Sequence, residues 1–303
     1  MSDLAIDRPR RRGRTRRAAP GGSGRPPSRL GFVLYFATGA LLSLLFVAPL
    51  VWALLRSFQP DSAISAAPSA HAFAQLTLKN YSGLLGGSVG ILRNVLNSVI
   101  VALATAALTA LLALLAGYGF ARFRFRGSGV VFGLILVTLM IPFQAVLTPL
   151  FLELHWLHLI NSLLGLVCFY TTFNLPFGVF VMRNSFQQVP REIEECARVD
   201  GASTWTTLWR VLAPLVVPGV ATTVLYAFLF SWTEFLGALT FVTSDDKFTL
   251  PVALLGIETG TYGSVDFGYL VAGSVIAMVP CIALYVALQR YYVQGLTSGA
   301  VKG

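Results

Sequence analysis

The side chains that could do specific chemistry fall mainly in one polar segment, which runs from Arg183 to Arg210 and reads RNSFQQVPREIEECARVDGASTWTTLWR. Pro190 suits the first position of a helix, where its missing N–H costs nothing. The glutamates that follow it are Glu192, Glu194 and Glu195. Negative charge at the start of a helix is favoured by the helix dipole. The segment therefore predicts a short helix from Arg191 to about Val199.

A second helix is predicted directly after the first. Gly201 suits the left-handed residue that closes a helix, and Ser203 can cap the start of the next one. In this second helix four apolar residues form one stripe, namely Trp205, Leu208, Trp209 and Leu212. Because its aromatic rings suit the headgroup zone, we expect this helix to lie along the membrane before Pro214 and Pro218 redirect the chain.

The first of these helices has a less charged face, made of Ile193, Cys196 and Ala197. Side chains of this size permit close approach by another protein. The same pattern also fits a surface helix that only covers the inner mouth of a helix bundle. Spacing alone leaves both interpretations open.

A different kind of chemistry is indicated by polar and aromatic residues inside the apolar runs. A site for a small polar solute needs hydrogen-bonding side chains, often among aromatic rings, and the candidates are Tyr170, Thr172, Asn174, Tyr226 and Trp232, with Glu234 beside them. An ionisable residue within a span usually faces the bundle interior or water. Glu234 would lie about 25 Å along a helix that begins at Val217, which also fits a solvated outer interface. For the aromatic residues, helix packing or lipid contact is the competing interpretation.

Other reactive residues give no catalytic or metal site. His155 and His158 have a spacing that could place two ligands on one helical face, but no third ligand is near in sequence. The cysteines are Cys168, Cys196 and Cys281, and they imply neither a disulfide nor a metal site. No segment reads G-x-x-x-x-G-K-[ST], so ATP cannot be hydrolysed by a phosphate loop of this chain.

The elements that must position these residues are membrane helices. The chain is 55% hydrophobic and only 12% charged, and its mean hydropathy is +0.72. Its apolar residues fall in uninterrupted runs, and a run of about 20 residues crosses a bilayer. We predict six spans, at residues 32–55, 95–118, 130–151, 162–182, 217–241 and 269–288.

The distribution of basic residues predicts the topology. All but four of the 22 Lys and Arg residues fall in the N-terminal tail or in alternate connections, and the exceptions are Arg56, Lys79, Arg93 and Lys247. By the positive-inside rule both termini are cytoplasmic. Residues 1–30 form an Arg-rich tail that we expect to be disordered and to contact anionic headgroups. An export signal and a nucleic-acid arm are weaker interpretations of that tail, because the following helix is too long and no aromatic residues are interleaved.

The polar segment resembles the EAA loop of ABC importer permeases, in which E-A-A is followed by three residues, a glycine and a later proline. The matching residues are Glu195, Cys196, Ala197, Gly201 and Pro214. The stretch EECARVDGAS resembles the carbohydrate-importer branch, and the ending QRYYVQGLTSGAVKG is similar to that of maltose-type permeases of the G-like kind. SWTEFLGAL in the fifth span is a third match. Cys196 replaces the usual first alanine, and Thr233 replaces an asparagine, which puts a polar contact near the translocation path in doubt.

The resemblance implies an all-α integral membrane fold, a MetI/MalG-like bundle of six transmembrane helices over residues 31–303, with a coupling loop at 183–213. In that family the loop docks into a cytoplasmic ATPase. Carried over to this chain, the ATPase-coupling residues are Glu194, Glu195, Cys196, Ala197, Asp200, Gly201, Ala202 and Pro214. The partners implied are a second permease, two ATPase subunits, an extracytoplasmic solute-binding protein and membrane lipids, with no nucleic acid. ATP and Mg²⁺ would be used by the ATPase, with no cofactor bound by this chain.

The resemblance therefore implies a non-enzymatic permease subunit of the cell membrane that imports a mono- or oligosaccharide. Three alternatives stay open. The first is a permease of the same superfamily for another solute, such as an amino acid, phosphate or a polyamine. The second, an ion-driven secondary transporter, should carry paired charges or broken helices at mid-membrane. The third, an intramembrane enzyme, would need a catalytic constellation that the spans do not show.

Overall fold

The computed structural model describes residues 29–65, 76–86, 90–261 and 265–300, and it is helical throughout those ranges apart from turns. The predicted tail therefore lies outside the described residues, except for its last two. The helices are α1 (Arg29–Ser57), α2 (Asp61–Ser65), α3 (Lys79–Gly86), α4 (Leu92–Arg122), α5 (Ser128–Thr138), α6 (Phe143–Trp156), α7 (Leu163–Gln188), α8 (Arg191–Val199), α9 (Thr204–Leu215), α10 (Val217–Thr233), α11 (Leu236–Phe241), α12 (Leu250–Glu258) and α13 (Phe267–Ala300). The chain divides into two compact units, one up to Leu50 and one from Val51 onward.

Four of the helices are long and apolar enough to cross a bilayer, and they match four of the predicted spans. They are α1, α4, α7 and α13. α1, from Leu30 on, has a mean hydropathy of 2.2 and α4 one of 2.6. The number of candidate crossings rises to six when each of two bent helix pairs counts as one span.

The third predicted span is not one continuous helix. α5 and α6 meet at an angle of 100°, and Pro142 between them is extended, with ψ 125°. Proline lacks an N–H and disfavours helical backbone in the residue before it, so the helix ends there. With 11 and 14 residues, the two pieces are about 16 and 21 Å long, and each is shorter than the hydrocarbon core.

The fifth predicted span also ends earlier than expected. α10 has 17 residues and stops at Thr233, and Glu234 is extended before α11 begins. The other bend lies at the start of α10, where α9 and α10 meet at 78°. The chain is thus bent at the start of α10 and leaves the helical conformation at its end.

The centre of the bundle is formed by α4, α7 and α10, which pack through small residues. A methyl group added at Gly117 of α4 would lie 2.5 Å from the Cβ of Met182 in α7. One added at Gly178 of α7 would lie 2.9 Å from the Cβ of Ala113 and 3.0 Å from Thr223 in α10. Because helices can approach this closely only where side chains are absent, these glycines fix the spacing of the bundle.

The N-terminal end of α4 holds the connection between α11 and α12. The side-chain amide of Asn94 donates to the carbonyl of Phe248 at 3.1 Å, and that of Asn97 donates to the carbonyls of Asp246 and Phe248, both at 3.0 Å. The hydroxyl of Ser98 accepts from the N–H of Leu250 at 2.7 Å. Buried polar side chains thus satisfy backbone groups that have no helical partner.

Candidate functional site

The first helix of the 183–213 loop is confirmed. α8 runs from Arg191 to Val199, with extended Pro190 before it and Glu192 and Glu194 in its first turn. The proline prevents α7 from continuing, and the acidic residues are placed where the helix dipole favours them. Local sequence signals are therefore sufficient to start this helix.

The turn after α8 is also confirmed. Gly201 has φ +82°, and its N–H donates to the carbonyl of Arg198 at 3.0 Å, while the N–H of Ala202 donates to the carbonyl of Ala197 at 2.9 Å. This pair of bonds is the pattern of a glycine-terminated helix. Ser203 then accepts from the N–H of Thr206 at 3.2 Å and caps α9.

The apolar stripe predicted for the second helix is divided in the structure. Leu208 and Leu212 are buried and join a core cluster with α4 and α7 residues, whereas Trp205 and Trp209 are exposed. A π-helical turn from Thr207 to Leu212 lies in this helix. The prediction of a single apolar stripe is thus wrong, because the two leucines pack against the bundle. That the helix lies along the membrane stays a prediction.

Glu194 differs from the other residues predicted for the ATPase contact, because its side chain faces the bundle. It is 5% exposed, and its Oε2 lies 3.1 Å from the Nε of Arg122 at the end of α4. Its Oε1 accepts from the hydroxyl of Tyr118 at 3.1 Å and from Arg198 at 2.7 Å. The sequence analysis missed Tyr118 and Arg122, and no pattern in the sequence distinguishes Glu194 from Glu195.

The remaining predicted coupling residues lie at the surface of the loop. Glu195, Cys196, Asp200, Gly201 and Pro214 are exposed, and Ala197 and Ala202 are half-buried. Val199, which the sequence analysis did not single out, is 87% exposed at the C-terminal end of α8. Val199 therefore places an apolar side chain beside exposed carboxylates at this end of the loop.

Most residues predicted for the solute path are buried inside the bundle. They are Tyr170, Asn174, Trp232 and Glu234. Trp232 donates its Nε1–H to the carbonyl of Ala277 in α13 at 3.0 Å, and Asn174 donates to the carbonyl of Tyr170 at 2.6 Å. Trp232 thus joins α10 to α13, whereas the bond of Asn174 lies within α7.

Glu234 is neither solvated nor free. Its carboxylate accepts from the Tyr170 hydroxyl at 2.7 Å and from the N–H of Gly237 at 2.9 Å. The N–H of Ala238 adds a longer bond of 3.3 Å. Glu234 therefore caps the start of α11 and ties it to α7, which sequence reasoning, with functional and interfacial roles left open, did not foresee.

Thr172 and Tyr226 are the predicted path residues that remain exposed. Thr172 lines a cavity of about 370 Å³ whose other walls are mainly apolar. The ring of Tyr226 in α10 packs on that of Phe177 in α7, with centroids 4.1 Å apart. An exposed aromatic ring can stack on a ring of a bound solute, and an exposed hydroxyl group can form hydrogen bonds to it.

Within the described residues, no group of three or more His, Cys, Asp or Glu side chains could hold a metal ion. His155 stacks on Phe151 with ring centroids 6.4 Å apart, and His158 has φ 57°. The three cysteines are not joined in disulfides.

Comparison with known proteins gives consistent matches. The family described as "Binding-protein-dependent transport system inner membrane component" matches residues 109–298. The chain is 32% identical over 282 residues to the arabinooligosaccharides transport system permease protein AraQ of Bacillus subtilis (strain 168), covering 91% of this chain and 96% of that protein. It is 31% identical to the trehalose transport system permease protein SugB of Mycobacterium tuberculosis (strain CDC 1551 / Oshkosh), over 84% of this chain and 92% of that one.

A solved structure shares the fold. It is a chain of a bacterial ABC transporter involved in the import of the acidic polysaccharide alginate, with a TM-score of 0.72, 22% identity and coverage of 88% of this chain and 98% of that chain. The family match extends over more than half of the chain and includes the 183–213 loop. The chain therefore belongs to the binding-protein-dependent transport system inner membrane components, the membrane permease subunits of ABC importers, in which a separate subunit hydrolyses ATP.

Proposed function

We propose that this permease imports a mono- or oligosaccharide as one half of a translocation pathway whose other half is a second, similar permease. Two ATPase subunits bind at the cytoplasmic side, and an extracytoplasmic solute-binding protein delivers the sugar. The observation that carries the proposal is the helix–glycine–helix loop, which presents an exposed tip while its base is fixed to α4 through Glu194.

The exposed tip supports the coupling role. Val199 and Asp200 lie at the end of α8, next to the left-handed Gly201. Two short helices that meet at a glycine turn form a compact projection that can enter a cleft of another protein. A closing movement of two ATPase subunits would then reach the membrane helices as a rigid-body rotation.

The cargo assignment is supported by the relatives. One is named for arabinooligosaccharides and another for trehalose. Exposed Thr172, Tyr226 and Phe177, which is half-buried, supply the hydroxyl and ring surfaces that a sugar requires. The buried candidates, Tyr170, Asn174, Trp232 and Glu234, would reach a solute only after helices move.

A crosslinking experiment tests the docking surface. Cys196 is the exposed cysteine of the three in the chain, so a thiol-directed crosslinker can be used on the native importer. We expect a crosslink from Cys196 to the ATPase subunit, and none from a Cys196→Ser variant. Absence of any such crosslink in an actively transporting complex would contradict docking through this loop.

A transport assay tests the cargo. The importer, reconstituted with its partner subunits and binding protein, should take up labelled oligosaccharides or a monosaccharide only when ATP is enclosed with the ATPase. Amino acids, phosphate and polyamines are the controls. Uptake of one of these instead would contradict the sugar assignment, and uptake that needs an ion gradient and no ATP would favour a secondary transporter.

The solute path has its own test. Replacing Tyr226 by Ala removes an exposed ring, so we expect KM for the sugar to rise about tenfold, the effect of losing roughly 1.4 kcal/mol of binding. Phe228→Leu is the matched control, since it changes a buried ring of the same helix that is not among the path residues and should leave KM unchanged. An unchanged KM in Tyr226→Ala would remove this residue from the path.

A further inference from the structure

The side chain of Glu194 attaches α8 to α4 through two separate contacts. Each carboxylate oxygen of Glu194 has its own partner from α4, Oε2 with Arg122 at 3.1 Å and Oε1 with Tyr118 at 3.1 Å. The side chains of Arg122 and Glu194 are 5% and 6% exposed. The pair is therefore shielded from water and held in one geometry.

Arg122 makes a second attachment. Its Nη2 donates to the carbonyl of Val189 at 2.9 Å, which lies between the end of α7 and the start of α8. The ring of Tyr118 also packs edge-on against Phe186 of α7, with centroids 5.5 Å apart. The C-terminal end of α4 thus contacts the chain before Pro190, at Phe186 and Val189, and after it, at Glu194.

These contacts connect α8 to the bundle by a second route besides the backbone. Between α7 and α8 the chain is extended at Val189 and Pro190, so the helical hydrogen bonds of α7 do not continue into α8. A direct connection from Glu194 to Arg122 leads instead to α4, which packs against α7 and α10 at the centre of the bundle.

Stability alone gives a weak reason for a charged pair in this place. A buried ion pair is often no more stabilising than well-packed apolar residues of the same size, because both charges lose their hydration. What the attachment does supply is direction, because the Tyr118 hydroxyl donates to Glu194 and the Nη2 of Arg122 donates to the Val189 carbonyl, and such bonds fix the orientation of their partners.

We infer that Arg122 and Glu194 are positioning residues that make α4 move together with α8, so that force from the docked ATPase reaches the solute path through this ion pair. The inference rests on the proposed function, because it needs an ATPase bound at the loop. It also assigns Glu194 a task inside the permease, in contrast to Glu195 and Asp200 at the surface.

The test replaces the pair by apolar residues of similar size. Arg122→Met combined with Glu194→Leu should let α8 pack while removing the directed bonds. In the complete importer in proteoliposomes, we expect the variant to retain the Cys196 crosslink to the ATPase and its ATP hydrolysis. Solute transported per ATP should fall about tenfold, within the range of coupling between linked sites.

Arg198→Ala is the matched control. Arg198 also bonds to Glu194, but its side chain is 56% exposed and it belongs to α8 itself, so the ratio should stay within about twofold of wild type. If the double variant fails to assemble, Glu194→Gln serves as the test variant, because it keeps the acceptor for Tyr118 and loses the charge.

The outcomes separate the two claims. Wild-type solute per ATP in the double variant, or in Glu194→Gln where that variant serves as the test, would overturn the inference and leave the docking proposal intact. Loss of the Cys196 crosslink in wild type would contradict the docking proposal, and the inference with it. A reduced ratio with the crosslink retained supports both.

Discussion

Two buried carboxylates, Glu194 in the loop and Glu234 between α10 and α11, are held in opposite ways. Glu194 has a buried guanidinium beside it and a second, more exposed one at Arg198. Glu234 has the Tyr170 hydroxyl and backbone N–H groups. Among the ion pairs of the described residues, none includes Glu234.

The difference shows how location decides the partner of a buried charge. Near the end of α4 the long side chain of Arg122 can bring its charge to Glu194, while Arg198 on the other side of the carboxylate stays exposed to water. Inside the span a cation would itself need compensation, so the protein uses neutral donors that the break in the helix sets free. Both arrangements join separate helices, yet only one depends on a second charge.

The largest loss of stability is expected when Arg122 loses the carboxylate of Glu194. Glu194→Leu would strand Arg122, whose side chain is 5% exposed, and removing one partner of a buried pair costs about 3–5 kcal/mol. The midpoint of thermal unfolding of the purified protein in detergent measures this loss. Glu195→Leu, at the exposed neighbouring position, is the control, and equal midpoints for the two variants would contradict the assigned burial.

At the second carboxylate no charge is left without a partner. Glu234→Leu would leave the Tyr170 hydroxyl and the Gly237 N–H unpaired, at about 1–3 kcal/mol for each neutral group, so the total of about 2–6 kcal/mol overlaps the range given for Glu194→Leu. Glu234→Gln should lose less, because the amide oxygen still accepts from the same donors. The same measurement then sharpens the comparison: exchange of Glu for Gln should be more costly at Glu194, where a cation is left unbalanced, than at Glu234. The reverse order would show that the two sites do not differ in this way.

Sequence reasoning was correct where the signal is local. Pro190, Gly201 and Ser203 act on their immediate neighbours, so the bounds of α8, the turn and the cap were predictable. The 100° bend between α5 and α6 also had a local signal in Pro142, but a continuous apolar run concealed it.

Sequence reasoning failed where it had to decide which of two similar side chains is buried. Glu194 and Glu195 are adjacent, and only the position of α4 decides which one is buried. In the spans nearly every residue is apolar, so periodicity cannot separate the buried Tyr170 from the exposed Tyr226. The break that lets Glu234 cap α11 depends on Gly237, where a methyl group would lie 2.5 Å from the ring of Phe169.

The tip of the loop should respond differently from its base. A methyl group added at Gly201 meets no heavy atom within 4 Å, so the cost of a substitution there is backbone strain, roughly 1–2 kcal/mol for an L-residue at φ +82°. Gly201→Val should reduce transport per ATP while leaving membrane insertion intact. Gly201→Asn, which tolerates this conformation, is the matched control in the transport assay. Unchanged uptake by the valine variant would argue against a rigid turn.

The smallest effect is expected for an exposed pair of the same chemical type as Arg122 and Glu194. Arg93 and Asp246 lie 3.2 Å apart, with side chains 66% and 45% exposed, and such pairs contribute roughly 0.2–1 kcal/mol before screening by salt. Arg93→Ala should therefore lower the unfolding midpoint only slightly, and the loss should vanish at high salt. Asn97→Ala removes two bonds of 3.0 Å to the same connection and should cost more, because the Asp246 carbonyl loses its donor from α4 and the Phe248 carbonyl keeps only Asn94. If Arg93→Ala proved as damaging as Glu194→Leu, the strength of the α4–α8 joint could not be attributed to burial.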